Sequence, residues 1–179
     1  MSGTSYDPVA NPYAPGAGTP PPALVGRDAL IDEAIVSLQR IRVGRSAQHL
    51  MLTGLRGVGK TVLMGRLAAV GESEGFSVIR QEAVGGDDTV SSFLRQARRI
   101  AAELGTGPRA TRALRSIDSV SLTLAGTGVK VDRVDTHPDR EALADVVIDL
   151  AAAAAERDRA VMIALDEAQT LADDDLGRI

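Results

Sequence analysis

Residues 54–61 read GLRGVGKT, which fits the pattern G-x-x-x-x-G-K-[ST]. A loop that wraps a row of phosphates needs backbone N–H groups pointing inward and no side chain in the way. Gly54, Gly57 and Gly59 lack a Cβ and reach backbone angles closed to other residues. A nest of N–H groups followed by a helix N-terminus is an anion site. Leu55, Arg56, Val58 and Val62 complete the stretch expected to line the phosphates. Lys60 is expected to bridge the β- and γ-phosphates and Thr61 to hold a Mg²⁺. The implied ligands are ATP and Mg²⁺. The flanks suit the loop: residues 49–53 (HLMLT) read as a short strand before it, and residues 62–70 as a helix after it.

A second group of chemical residues closes the run Val161-Met162-Ile163-Ala164-Leu165. Five apolar residues in a row predict a strand buried on both faces, as in a parallel sheet. Asp166 and Glu167 follow at its carboxyl end. A carboxylate at Asp166 can hold the water shell of Mg²⁺, and Glu167 can orient and deprotonate an attacking water. An acid pair capping a helix after a core strand is the plainer alternative. The phosphate-binding pattern upstream favours the chemical reading.

These residues need elements to position them. The chain has 179 residues, about one domain, and 44% of them are hydrophobic. Aromatics are only 2%, so the core must be built from Leu, Val, Ile and Ala. Net charge is −4, which gives no global attraction to nucleic acid. Without cysteine there is neither a disulfide nor a thiolate metal site. No signal peptide or membrane span is evident, so a cytoplasmic protein is expected.

Residues 1–23 hold six of the eight prolines and read as a disordered Pro/Gly-rich tail. Periodicity predicts helices over 28–43 and 88–104, a helix after Pro138, strands over 76–80 and 160–166, and the start of a last helix near Asp173. Between Ser119 and Val134 alternation of period two, with Gly126-Thr127-Gly128 in the middle, predicts a β-hairpin insertion near 119–134. Alternating strands and helices imply an α/β fold with a parallel sheet, and a ligand at the carboxyl ends of its strands.

With Leu24-Val25-Gly26-Arg27-Asp28 about a helix upstream, GLRGVGKT and LDEAQ resemble the AAA+ ATPase superfamily. The resemblance is to bacterial ATP-binding proteins similar to replication-initiator (origin-recognition) ATPases. It covers about residues 24–175. It implies a P-loop NTPase three-layer sandwich, with Val25, Gly26 and Arg27 against adenine and ribose. It also implies a further strand between the two motif strands, a polar sensor, an arginine finger and a helical lid. The chain reaches Ile179 without them, so residues 24–179 read as the N-terminal part of such a domain, truncated after its Walker-B-type strand.

The resemblance implies ATP hydrolysis driving conformational change on a DNA or protein client, with homo-oligomers of the full-length protein. The alternative is a STAND-type signalling switch with slow turnover. Glu167 favours hydrolysis, since many such switches carry a second Asp there. A DEAD-like helicase is suggested only by the letters DEAQ; its nucleic-acid motifs are not visible. Arg95, Arg98, Arg99, Arg109, Arg112 and Arg115 form either a DNA-contacting face or an ordinary solvated helix surface. His49 and His137 have no metal-ligating partners at useful spacing.

Overall fold

The computed structural model describes residues 27–55, 57–84, 86–124 and 140–170. In chain order the elements are α1 (Asp28–Arg42), α2 (Lys60–Ser73), β1 (Phe76–Glu82), α3 (Gly86–Glu103), α4 (Pro108–Leu124), α5 (Arg140–Ala155) and β2 (Ala160–Asp166), with a 3₁₀ turn at Ala168–Thr170. β1 and β2 pair in parallel, from Phe76 opposite Ala160 to Glu82 opposite Asp166. A parallel pair requires a long crossover, and α3, α4 and α5 supply it.

Strand side chains alternate between faces, and the core divides accordingly. Phe76 and Val78 of β1, with Ala160 and Met162 of β2, pack with Ile31, Ile35 and Leu38 of α1 and Val70 of α2. Ile79 and Val161 face the other way, onto the main core of α3, α4 and α5. Its centre is Ile117, Val146 and Leu150, with closely fitted alanines at 97, 101, 113 and 154. The small residues let the helices approach closely, which compensates for the scarcity of aromatics. Helices therefore cover both faces of the sheet, as an α/β fold requires.

Gly71 is where α2 comes nearest the sheet. A Cβ there would stand 2.6 Å from Met162 Sδ, 3.5 Å from Val78 Cγ2 and 3.9 Å from Phe76 Cβ. The helix ends at Ser73, and Gly75, with φ of 88°, turns the chain directly into β1.

Three expectations change. Residues 49–53 form no strand: they run as irregular chain, with Met51 82% exposed. Among the described residues the sheet is β1 and β2 alone, each with one edge unpaired, and residues 49–53 join neither edge. β2 is also not buried on both faces. Only Ala164 is fully buried, and Ile163 is 38% exposed.

The predicted hairpin also fails in its first half, because Ser119–Leu124 are the last turns of α4. Ala110, Ala113, Ile117 and Val120 are buried at helical spacing and Leu124 packs on the same core, whereas Leu122 lies exposed. The strand-forming polar residues are accommodated by bonds one turn back: Ser121 Oγ donates to Ile117 O and Thr123 Oγ1 to Ser119 O. The rest of that hairpin, the tail at 1–23, Val25, Gly26, Arg56 and the helix near Asp173 lie outside the described residues.

Candidate functional site

The phosphate-binding pattern is built as a turn with left-handed glycines. Gly57 and Gly59 both have φ of 83° and Gly54 has φ of 152°, a region that disfavours side chains. Gly59 caps α2, and its carbonyl accepts the first helical bond from Leu63 N–H at 2.9 Å. No side chain caps this helix end, so its leading N–H groups remain available to an anion. Lys60 folds back over the turn: its Nζ donates to Gly54 O and Leu55 O, each at 2.9 Å. An ammonium has three protons, so this posture closes the ring of the turn and leaves one donor for a phosphate oxygen. Thr61 is exposed on the first turn, and Val62 is half-buried. Leu55 projects outward, 81% exposed.

Arg27 stands at the entrance to α1 and reaches the same turn, its Nη2 lying 3.5 Å from Val58 O. The residue predicted to neighbour the nucleoside is thus physically linked to the phosphate-binding turn.

The acids stand at the carboxyl end of β2. Asp166 has the strand parity of Ala160 and Met162, which places it on the α1/α2 face of the sheet. α2 approaches the amino end of the strands at Gly71 and carries its buried stripe, Leu63, Leu67 and Val70, towards its own start. A helical rise of about 1.5 Å per residue takes Lys60 roughly 16 Å from Gly71, and four strand residues take Asp166 roughly 13 Å from Met162. On this arithmetic the helix start and the acid end lie at one edge of the sheet.

The turn after β2 is held firmly. Ala83 N–H donates to Asp166 O at 2.9 Å, extending the strand ladder by one bond. Ala83 O accepts from Thr170 Oγ1 at 2.6 Å, and Thr170 N–H donates to Glu167 O at 2.8 Å. Glu167 has φ of 53°, a left-handed conformation that costs a side-chain-bearing residue about 1–2 kcal/mol. Its N–H donates to Asp166 Oδ1 at 2.9 Å, and its carboxylate accepts from Gln169 Nε2. The sequence reading missed Thr170 and Gln169. Nothing in their types marks them; the information lies in the tight turn, which brings positions 167, 169 and 170 together.

The arginine group resolves differently from either simple picture. Arg98 pairs with Asp118, Arg99 with Glu103, Arg109 with Glu156 and Arg112 with Asp149. Three of these pairs link the α3–α4–α5 layer, and Arg99–Glu103 lies within α3; all four arginines stay more than half exposed.

An uncapped, glycine-cornered turn that opens a helix, with a lysine folded over it and an acid pair at the carboxyl end of β2, makes up the candidate site on an α/β scaffold. The AAA ATPase domain family model matches residues 23–179, and the chain belongs to that family. Nucleotide binding and hydrolysis are the activities such a domain implies. No curated protein and no solved structure gives a significant match. Among the described residues, no helix is long and apolar enough to cross a membrane.

Proposed function

We propose that this chain binds ATP at the turn 54–61 and hydrolyses it with Glu167 as general base. The observation that carries the reading is the posture of Lys60, whose ammonium is held 2.9 Å from two carbonyls of the glycine turn at the uncapped start of α2. The glycine N–H groups and Lys60 would neutralise the phosphates, with Val25, Gly26 and Arg27 beside the nucleoside. Thr61 and Asp166 fit Mg²⁺, which is commonly held by one or two side chains together with substrate phosphates. When bound, the ion would offset the charge of the β- and γ-phosphate oxygens. Glu167 takes a proton from water as the water oxygen bonds to the γ-phosphorus. The bond to the β–γ bridging oxygen breaks, leaving ADP and inorganic phosphate.

The client of the resulting conformational change is DNA or a protein on this reading; four of the six clustered arginines have ion-pair partners on their own chain, which favours a protein. The replication-initiator likeness rests on Leu24–Asp28, GLRGVGKT and LDEAQ alone, none of which is a client-binding element. Assembly into a homo-oligomer belongs to the same proposal.

Titration of a fluorescent ATP analogue into the intact protein and its Lys60→Ala variant tests the site. The expected loss is at least tenfold in affinity, on the scale of about 1.5–3 kcal/mol for a charge-assisted contact. Equal affinities would remove the turn 54–61 from nucleotide binding.

A further inference from the structure

Glu167 is exposed at the end of β2, and an exposed carboxylate ordinarily samples several rotamers. Here it does not hang free. Gln169 Nε2 donates to one of its oxygens, Oε2. That contact depends on a chain of earlier ones. Thr170 fastens the turn to β1 through Ala83 O, and Thr170 N–H closes the turn on Glu167 O. The left-handed backbone at Glu167 then folds the chain sharply enough for a side chain two positions on to reach back. An extended chain would send residues 167 and 169 in the same direction, with their side chains side by side and no closure between them.

A strained residue whose N–H, C=O and carboxylate are each held by a hydrogen bond marks a position whose geometry is over-determined. A general base benefits from such restraint, since a base is effective when a third group orients it towards its proton donor. Gln169 is suited to the task because a neutral amide donates a hydrogen bond without a charge that would compete for Mg²⁺. It occupies one oxygen of Glu167 and leaves the other to accept a proton.

Resting on the proposed role of Glu167 as base, we propose that Gln169 is a positioning residue for hydrolysis, holding the Glu167 carboxylate through its side-chain amide. Thr170 acts behind it by fixing the turn.

The test is a double-mutant cycle in the intact protein, with ATP turnover and nucleotide affinity measured for Gln169→Leu, Glu167→Gln and the pair. Leucine keeps much of the volume and removes the donor, and residue 169 is exposed, so folding is not at stake. The expected result for Gln169→Leu is a fall in kcat of about tenfold with KM and nucleotide affinity unchanged, the pattern of a group that acts only in the chemical step. In the Glu167→Gln background the same substitution is expected to change turnover less than twofold, because the carboxylate it orients is gone. Gln169→Glu, which sets a second acid against Glu167, is expected to fall further than Gln169→Leu. An unchanged or increased kcat in Gln169→Leu, or an equal loss in both backgrounds, would overturn the proposal while leaving the role of Glu167 intact. If Glu167→Gln itself turns over normally, the failure lies in the assignment of the base.

Discussion

The two faces of the sheet are built to different standards. On one, α3, α4 and α5 form a closed core in which Ile79, Ile117 and Val146 are fully buried. Ion pairs and helix-to-helix hydrogen bonds stitch its outer surface. On the other face, α1 packs on the amino half of the strands around Leu38, Val70 and Phe76, and α2 continues towards the carboxyl end with Leu63 and Leu67 buried. The carboxyl half of that side carries the glycine turn, Lys60 and the acids, with Met51 and Leu55 exposed beside them. Stability is concentrated where no chemistry is done. The candidate site is assembled from chain ends of elements, held by small sets of hydrogen bonds. That division is common in proteins, since groups that must engage a ligand cannot also be spent on the core.

The sharpest way to break the comparison is to remove a residue from each side. Leu150 is 1% exposed within the three-helix core. Leu150→Ala is expected to destabilise by about 2–5 kcal/mol, through lost burial and an uncollapsed cavity. Denaturant unfolding would measure it. A loss under about 1 kcal/mol would mean that the helical layer is loosely packed and the contrast between faces is unfounded.

Next is Glu167→Gln, on the site side. It keeps shape and hydrogen-bonding capacity but not basicity. Turnover is expected to fall about 10²-fold or more, roughly 2.7 kcal/mol in barrier, with ATP binding retained and the melting temperature unchanged. A substitution that damages chemistry without touching stability is what the division of faces demands. A coupled loss of stability would show that the acid turn is part of the scaffold.

A third test probes how the helical layer is sewn. Asp149 on α5 is nearly buried, its side chain 9% exposed, and it accepts from Arg112 Nε at 2.9 Å and from Ser116 Oγ at 2.5 Å on α4. Arg112 itself is 78% exposed. Arg112→Ala leaves a shielded carboxylate with one hydroxyl donor, and a cost of about 1–2 kcal/mol is expected from unfolding curves. Arg115→Ala, nearly one helical turn further on and with no ion pair described for it, is expected to stay within about 0.5 kcal/mol. Equal losses would mean that the arginines act by packing their stems and not through the pair.

The comparison also explains what the sequence could disclose. The placement of the turn 54–61 and of the acids was legible because the pattern sets particular residues at fixed spacing: glycine where φ is positive, lysine at the helix start, acid at a strand end. Of the helices on the closed face, α3 and α5 were legible because their apolar residues recur at i, i+3, i+4 and i+7, whereas α4 was not read as a helix. What failed was decided by tertiary partners. Residues 49–53 have strand composition yet join neither open edge of the sheet. Ser119–Leu124 alternate like a strand, yet Ile117, Val120 and Leu124 also satisfy helical spacing, and the core offered by α3 and α5 selects that reading. The Gln169–Glu167 contact was invisible because it depends on Thr170 reaching Ala83, far away in sequence.

A smaller effect of opposite sign is expected at Ser77. It lies 4% exposed in β1, and among the described residues its Oγ is buried without a hydrogen-bond partner. An unpaired buried hydroxyl is costly, so Ser77→Ala is expected to leave stability unchanged or raise it by up to about 1 kcal/mol. A loss of that size would mean the hydroxyl has a partner, for example a buried water, and that the sheet interior is less dry than its apolar neighbours suggest.

The smallest expected effect bears most directly on the contrast between faces. Met51 sits in the middle of a segment with strand composition, three residues before the glycine turn, but 82% of it is exposed. A side chain so placed gives up almost nothing on becoming polar, so Met51→Ser is expected to change stability by less than about 0.5 kcal/mol. Were residues 49–53 packed as a buried strand of the sheet, the same change would remove a core methionine and cost about 2–5 kcal/mol. The two outcomes are far enough apart for a single pair of denaturation curves to separate them. Adding an ATP analogue refines the measurement. If nucleotide binding draws residues 49–53 into the sheet, Met51→Ser will weaken affinity while leaving the unliganded stability untouched. If the segment stays outside, both will be unchanged, and the open half of this face is a permanent feature of the described fold.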